Sequence, residues 1–350
     1  MINYLEIRDK STFKTVAIVE PQECWLELSY QDVGEFEIYC RASRANLNAL
    51  KKGRFVTLPN KRFIWFITSV QYTFTAGGAR MISAKGYEAK WLLSKRCILT
   101  PKYIDGYITS ALYELVNCAL GSTATAERKI NGFAVDTNEV RIDIQARQTP
   151  RENLLEYANR VLKAYDCGSI VEFVNGSLKY RVFTGEDKTK SVRFAQSLDN
   201  LLSSEYLTDD TSLASYALVV STIDDIDYTQ DYNKGATGID RAEIVVKSEL
   251  SATYEDANGN SQDMQPTSDL FKTTLQEEGK NALVDHITTE EINGELDIAN
   301  SSYAFDNDFF LGDMVKAQDE YFNFYKNAKI SKFTFKQDAN GYGEEAEYGG

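Results

Sequence analysis

The sequence predicts an α+β protein that is mainly β, with strand-rich ends around a more helical middle. Two observations carry this. Tyrosine (21) and phenylalanine (18) are abundant while proline (5) is scarce, the balance of a chain built from strands. Apolar and polar residues alternate with period two near both ends, whereas helical spacing is concentrated in the middle and in one later segment. A chain of 350 residues with 43% hydrophobic residues has room for two or three domains, each able to bury its own core.

From the N-terminus, YLEIRD reads as a short strand. TFKTVAIV and CWLELSYQDVGEFEIYC follow, with Trp25-Leu26-Glu27-Leu28 and Phe36-Glu37-Ile38-Tyr39 placing apolar and polar residues in turn. SRANLNALKKG is a short helix or turn stopped by Gly53. RFVTLPNKRFIWFITSVQYTFTAGGARMISAKGY is the clearest β run, with turns at Pro59-Asn60 and Gly77-Gly78. Strands joined by such short turns imply an antiparallel sheet or barrel.

In the middle, Asp105 is placed to cap a helix through Ile108, Leu112, Leu115, Val116 and Ala119, ended by Gly121. Thr149-Pro150-Arg151-Glu152 has the form of a capping box with proline at the first helical position. Leu154, Leu155, Ala158, Val161, Leu162 and Tyr165 follow at helical spacing, with Gly168 as the stop. SIVEFV and LKYRVFTG form a hairpin turning at Asn175-Gly176.

The last part returns to strands. SYALVVSTI is one, and RAEIVVKSELSATYEDANGNSQ is a second run turning at Asn258-Gly259. The polar stretch from Ile223 to Asp240 is expected to be a long loop, mobile or ordered only by a partner. A helix is expected from Asp269 to Ile287, with Phe271, Leu275, Leu283 and Ile287 on one face. KISKFTFKQDANGYG closes the chain as a strand and turn. The boundaries this suggests are residues 1–98 for a first β domain, 99–190 for an α/β insert of two helices and a hairpin, and 191–350 for a second β domain, with the mobile loop at 223–240.

Charge and chemistry narrow the function classes. A net charge of -14 argues against a general nucleic-acid binder, which needs clustered Lys and Arg. It suits either a surface that DNA passes without sticking or simple solubility. MINYLEIRDK has no apolar core of a signal peptide, and no run approaches the length of a membrane span. Cys24, Cys40, Cys97, Cys118 and Cys167 are odd in number and scattered, without CxxC. They read as reduced, part-buried residues of a protein made in a cytoplasm, not as a zinc site or disulfide framework. The single histidine, His286, reads as a surface or interface residue. Trp25, Trp65 and Trp91 read mostly as core.

DNDFFLGDMVKA, Asp306 to Ala317, carries three aspartates: Asp306, Asp308 and Asp313. An EF-hand loop counted from Asp306 would put Leu311 at its glycine position and Ala317 at its glutamate position, so the fit fails. A carboxylate pair for glycoside hydrolysis is the sharper enzymatic idea, but 52 acidic residues always offer some pair. The stronger reading is structural. Phe309 and Leu311 alternate into a core, Gly312-Asp313 turns, and Met314-Val315 starts a strand. No catalytic, cofactor-binding or metal-ligating residue is assigned.

DFFLGDMV also resembles the DF-x-LGD-x-V turn near the end of tail-tip baseplate hub proteins of tailed bacteriophages, the siphophage and prophage proteins similar to the N-terminal hub part of tail-associated lysins. Other stretches resemble that family in order. They are NLNALKKGRFVTL with RFIWFITSVQ, GYEAKWLLSKRCI, LKYRVFTGEDKTKSVRFAQSLDNLLSSEY, and TLQEEGKNALVDH with its internal Gly279. Ala195 departs from the serine expected after V-x-F.

The resemblance implies two β-barrel-like domains of tail-tube type around the α/β insert, and a homotrimer whose six barrels match a sixfold tube to a threefold tip. It implies a structural, non-enzymatic role around the DNA exit channel. The implied partners are distal tail and tail-tube proteins, a tape-measure protein, tail-tip fibre or receptor-binding proteins, and DNA in passage. The implied location is the virion tail tip, after synthesis in the bacterial cytoplasm. A phage-encoded peptidoglycan or glycan hydrolase and a carbohydrate-binding tail module are the alternatives.

Overall fold

A computed structural model describes residues 2–74, 78, 80–201, 203–255, 260–296, 301–319, 324–339 and 341–349. Leu5–Arg8 (β1) and Thr15–Val19 (β2) open the chain as a hairpin. Glu23–Ser29 (β3) and Glu35–Arg41 (β4) bury the alternate residues Cys24, Leu26 and Leu28, then Phe36, Ile38 and Cys40. Arg44–Ala49 (α1) is capped by Ser43 and followed by Gly53, whose φ of 88° turns the chain into Phe55–Thr57 (β5). Ile64–Phe74 (β6) and Arg80–Glu88 (β7) pair as a long antiparallel hairpin. Gly77 of the turn expected there lies outside the described residues.

The insert holds Tyr103–Tyr107 (β8), Ile108–Leu120 (α2), Phe133–Val135 (β9), Asp143–Gln148 (β10), Leu154–Ala164 (α3), Gly168–Val174 (β11) and Ser177–Phe183 (β12). Asp105 does not cap α2. It lies in β8, whose pairing with β10 keeps the backbone extended to Tyr107, and Tyr107 occupies the cap position without a side-chain bond. Thr149 to Glu152 do not form the cap of α3 either. Thr149 Oγ1 accepts the Lys102 N–H at 2.8 Å, a bridge between Cys97 and Asn153 holds the approach extended, and Asn153 caps the helix. The helix stops before Gly168. Asp166 takes the left-handed turn at φ 52°, while Gly168 starts β11 where a Cβ would lie 2.1 Å from the Tyr30 ring. The Asn175-Gly176 turn is as expected, with φ of 50° and 80°.

The remainder comprises Arg193–Ala195 (β13), Ser203–Asp209 (β14), Tyr216–Ile223 (β15), Ile226–Asn233 (β16), Glu243–Ser248 (β17), Thr253–Glu255 (β18), Ser261–Asp263 (β19), Asp269–Ala282 (α4), Thr289–Leu296 (β20), Met314–Asp319 (β21), Phe324–Asp338 (β22) and Gly341–Gly349 (β23). The stretch 223–240 is not one long loop. Asp224 and Asp225, at φ 51° and 62°, make a tight turn that sends β16 back along β15. α4 ends at Ala282 with a single tight turn beyond it, so Ile287 is exposed instead of joining Phe271, Leu275 and Leu283 in the interior. Its internal Gly279 is explained by contact. A Cβ there would lie 3.1 Å from Val219 Cγ2 and 3.2 Å from Tyr232 Cβ on the sheet beneath. The turn expected at Asn258-Gly259 lies outside the described residues.

Among the described residues the main sheet has 13 strands, eleven of them along the path β14-β20-β23-β22-β3-β4-β7-β6-β5-β1-β2, with β13 and β21 to one side. Among the described residues this path closes no ring of strands. Its centre is the antiparallel pairing of β22 with β3, Phe333 opposite Leu28 and Phe335 opposite Leu26. That pairing joins the two β-rich ends of the chain. One core accordingly mixes Leu26, Phe36 and Trp65 with Phe194, Leu311 and Phe333. A second core packs α2 and α3 on the other face of β6 through Ile64 and Phe66. β16, β15 and β17 form a small separate sheet covered by α4. All five cysteines are free; Cys24, Cys40 and Cys167 are buried, Cys118 half-buried and Cys97 exposed. Trp65 is fully buried, while Trp25 and Trp91 are half-buried and Trp91 stacks on Tyr87.

Candidate functional site

The aspartate stretch folds as a turn wedged between the sheet and the insert. Asp306, at φ 76°, reverses the chain so that Phe305 bridges Phe309. Asp308 Oδ2 accepts the Ala304 N–H at 2.7 Å. Asp313 accepts from two backbone groups, the Glu186 N–H at 2.7 Å and the Phe310 N–H at 2.8 Å. Asp306 Oδ1 lies 2.6 Å from Arg62 Nη2. Burial lifts the carboxyls of Asp306 and Asp313 above the usual range, opposed by Arg62 at the first and by the backbone N–H groups at the second.

Each aspartate therefore holds its own chain. Among the described residues no group of three or more His, Cys, Asp or Glu is placed to hold a metal ion. Gly312, at φ 83°, fits because a Cβ would lie 2.4 Å from the Tyr30 ring. Phe309 and Leu311 are buried in the main core, and Phe305 stacks on Phe333 at 3.8 Å between ring centroids.

Phe310 packs at the rim of the same core, stacked on Phe305 and Phe63, and its ring also meets a charged junction that sequence reasoning did not find. Glu172 Oε1 on β11 forms an ion pair with Arg62, whose Nε lies 3.1 Å away, and accepts from Arg181 Nη2 at 2.7 Å. Both guanidinium groups lie over the Phe310 ring, at 5.2 and 5.6 Å. Arg62, Glu172, Arg181 and Asp306 thus tie the first β segment, the insert hairpin and the C-terminal turn together. Nothing in their separate local patterns marks them as partners.

Two further junctions are buried. Lys90 donates from Nζ to the carbonyls of Ser29 and Ser169 at 2.7 and 3.0 Å, and lies 2.8 Å from Glu88 Oε1. Burial pushes the Glu88 carboxyl up to about 7, with Lys90 opposing. Arg147 reaches Glu277 at 3.2 Å and the Tyr157 hydroxyl at 3.3 Å, linking β10, α4 and α3. His286 Nδ1 lies 2.8 Å from the Ser212 carbonyl. What these groups do is lock segments distant in sequence into one body.

A family model described as Siphovirus ReqiPepy6 Gp37-like protein matches residues 4–349. The chain belongs to that family. This meets the siphophage tail-protein resemblance of the motifs, and the match contains all three junctions. The tail protein from Neisseria meningitidis MC58 shares the fold of this family member with a TM-score of 0.59 at 12% identity, covering 99% of this chain and 96% of that one. The 43 kDa tail protein of prophage MuSo2 from Shewanella oneidensis does so with a TM-score of 0.60 at 12% identity, covering 99% and 98%. At such identity the likeness is one of fold. No curated protein sequence matches the chain.

Proposed function

We propose that this protein is a structural baseplate hub at the tip of a phage or prophage tail, a trimeric ring that joins the sixfold tail tube to the threefold tip around the DNA exit channel. The observation that carries this reading is the fusion of both chain ends into one sheet by β3 and β22, locked by Arg62 and Asp306. A body tied together in that way suits a coupler that transmits force between tube and tip. Its sheet path ends in two strands, β14 and β2, each paired on one side only among the described residues. Val16, Ile18, Tyr206 and Leu207 on those strands are exposed. An open edge is a template for pairing with another chain, and different edges meeting head to tail generate a ring where the rotation closes.

The role is non-enzymatic, and the two β-rich ends act as the ring-forming domains on either side of the insert. Distal tail and tail-tube proteins, a tape-measure protein and tip fibres are the partners, and the acidic lumen lets DNA pass. Immunogold labelling of intact tails tests the position. Label confined to the end distal to the capsid is expected; label along the shaft contradicts the hub reading.

A further inference from the structure

The two ends of the main sheet path carry opposite charge. No Asp or Glu lies between Glu37 and Glu88, a stretch with nine Lys and Arg. No Lys or Arg lies between Arg193 and Lys234, a stretch with eight Asp and Glu. The first stretch includes α1, which packs beside the edge strand β2. The second includes the other edge strand, β14. Segregation of this kind gives each edge a field of its own sign, whatever the total of the chain.

At the β2 end, Lys14, Arg44, Lys51 and Lys52 are exposed, together with Val16, Ile18 and Leu47. None of the four cations forms an ion pair among the described residues. Glu6 is taken by Arg8, and Asp9 accepts the Ser11 and Thr12 N–H groups of its own turn. Glu20, just past β2, adds one exposed carboxylate, and the balance stays positive.

At the β14 end, Glu205, Asp209 and Asp210 are exposed, together with Tyr206 and Leu207. Asp209 accepts the Thr211 N–H at 2.8 Å, while Glu205 and Asp210 form no ion pair among the described residues. Neither β14 nor β20, the strand paired with it, contains a Lys or Arg. Each end of the sheet thus offers exposed apolar side chains and free charges of one sign, and the two signs are opposite.

We propose that the β2 and α1 surface of one copy docks on the β14 edge of a second copy, and that their opposite charges let the contact form in one sense only. This contact rests on the ring of the hub reading and is the one that closes it. Val16, Ile18 and Leu47 meet Tyr206 and Leu207, and the free charges of the two edges pair around them. Exposed ion pairs add little energy each, so their effect is selection. A twofold contact of β2 with β2 sets Lys14, Arg44, Lys51 and Lys52 against their own counterparts, and one of β14 with β14 sets carboxylate against carboxylate. Both symmetric dimers are disfavoured. The head-to-tail contact remains, and that is the kind from which a ring grows.

Light scattering of the full chain in about 0.1 M and about 0.5 M sodium chloride reads the charge contribution without any variant. Self-association is expected to weaken by about tenfold or more at the higher salt. Two reversed proteins sharpen the test. Lys14→Glu, Arg44→Glu and Lys51→Glu together make both ends acidic, whereas Glu205→Lys with Asp210→Lys makes both basic. Each alone is expected to associate about tenfold less tightly than the unmodified chain, and an equimolar mixture of the two more tightly than either. No self-association by the unmodified chain, association indifferent to salt, or a mixture no better than its parts would overturn the proposal. So would association untouched by the β14 reversal, which would leave the basic surface to another anion, DNA included. A trimer that ignores both salt and the reversals would keep the ring and remove this contact, so the two readings fail separately. All five positions are exposed, and the salt series uses the unmodified protein, so the test stands even if a variant fails to fold.

Discussion

Arg62 Nη2 sits 2.6 Å from Asp306 Oδ1, across 244 positions of sequence. The contact closes the C-terminal turn onto the first β segment. The same guanidinium forms an ion pair with Glu172 on the insert, so one side chain spans all three parts of the chain.

Breaking that contact should loosen the union of the chain ends. Because Arg62 is more than a third exposed, the cost is modest. Asp306→Asn should destabilise by about 1 kcal/mol, read as a lower urea midpoint. A double-mutant cycle with Arg62→Met should show coupling; strict additivity would mean the pair holds nothing.

Lys90 and Glu88 are almost completely buried. Lys90→Met alone leaves the buried Glu88 carboxyl without its cation and strips the Ser29 and Ser169 carbonyls of their donor, and should cost about 3–5 kcal/mol. Adding Glu88→Gln should recover a large part of the loss. Thermal melts of the single and double variants decide it, and equal damage by both would show that Lys90 matters through its carbonyl contacts alone.

Gly312 is left-handed and packed against Tyr30. Gly312→Ala combines a strained backbone, costing roughly 1–2 kcal/mol, with a contact that Tyr30 must yield. The expected result is a clear fall in melting temperature. A Gly78→Ala variant has the strain, at φ 84°, with nothing within 4 Å of the added Cβ, and should fall less.

Glu278 makes stability depend on pH. Its folded carboxyl, at about 7, stands above the ordinary 4.5. The folded state therefore holds the proton that the unfolded chain has already released. Its contribution is fully present below about 4.5 and is lost as the pH rises towards 7. Glu278→Gln should flatten that part of the stability profile, measured by denaturant midpoints from pH 4.5 to 8. An unchanged slope would place the titration elsewhere.

Much of the fold was legible where one local pattern decides the outcome. Alternation in β3 and β4 marked Leu26, Leu28, Phe36 and Ile38 as buried, although the polar Glu37 is buried beside them, and Asn175-Gly176 named its turn. Local signals failed where pairing overrode them. Asp105 and Thr149 look like caps, but strand pairing and a backbone contact hold both extended. Asp224-Asp225 was hidden inside a polar run and read as loop, although two left-handed aspartates suffice to turn a hairpin. The aspartate turn was legible as structure because Phe309 and Leu311 alternate around it. Its partners Arg62, Glu172 and Arg181 were not, since contacts across such distances depend on the sheet path, which no local period encodes.

Whether the chain forms a ring is read from the mass of the purified protein by light scattering across a concentration series. A trimeric hub gives a species of three times 39.5 kDa, or a rise towards it with concentration, lost when Val16 and Ile18 are both changed to lysine. A strict monomer at every concentration, in the presence of the tail-tube protein as well as alone, would contradict it.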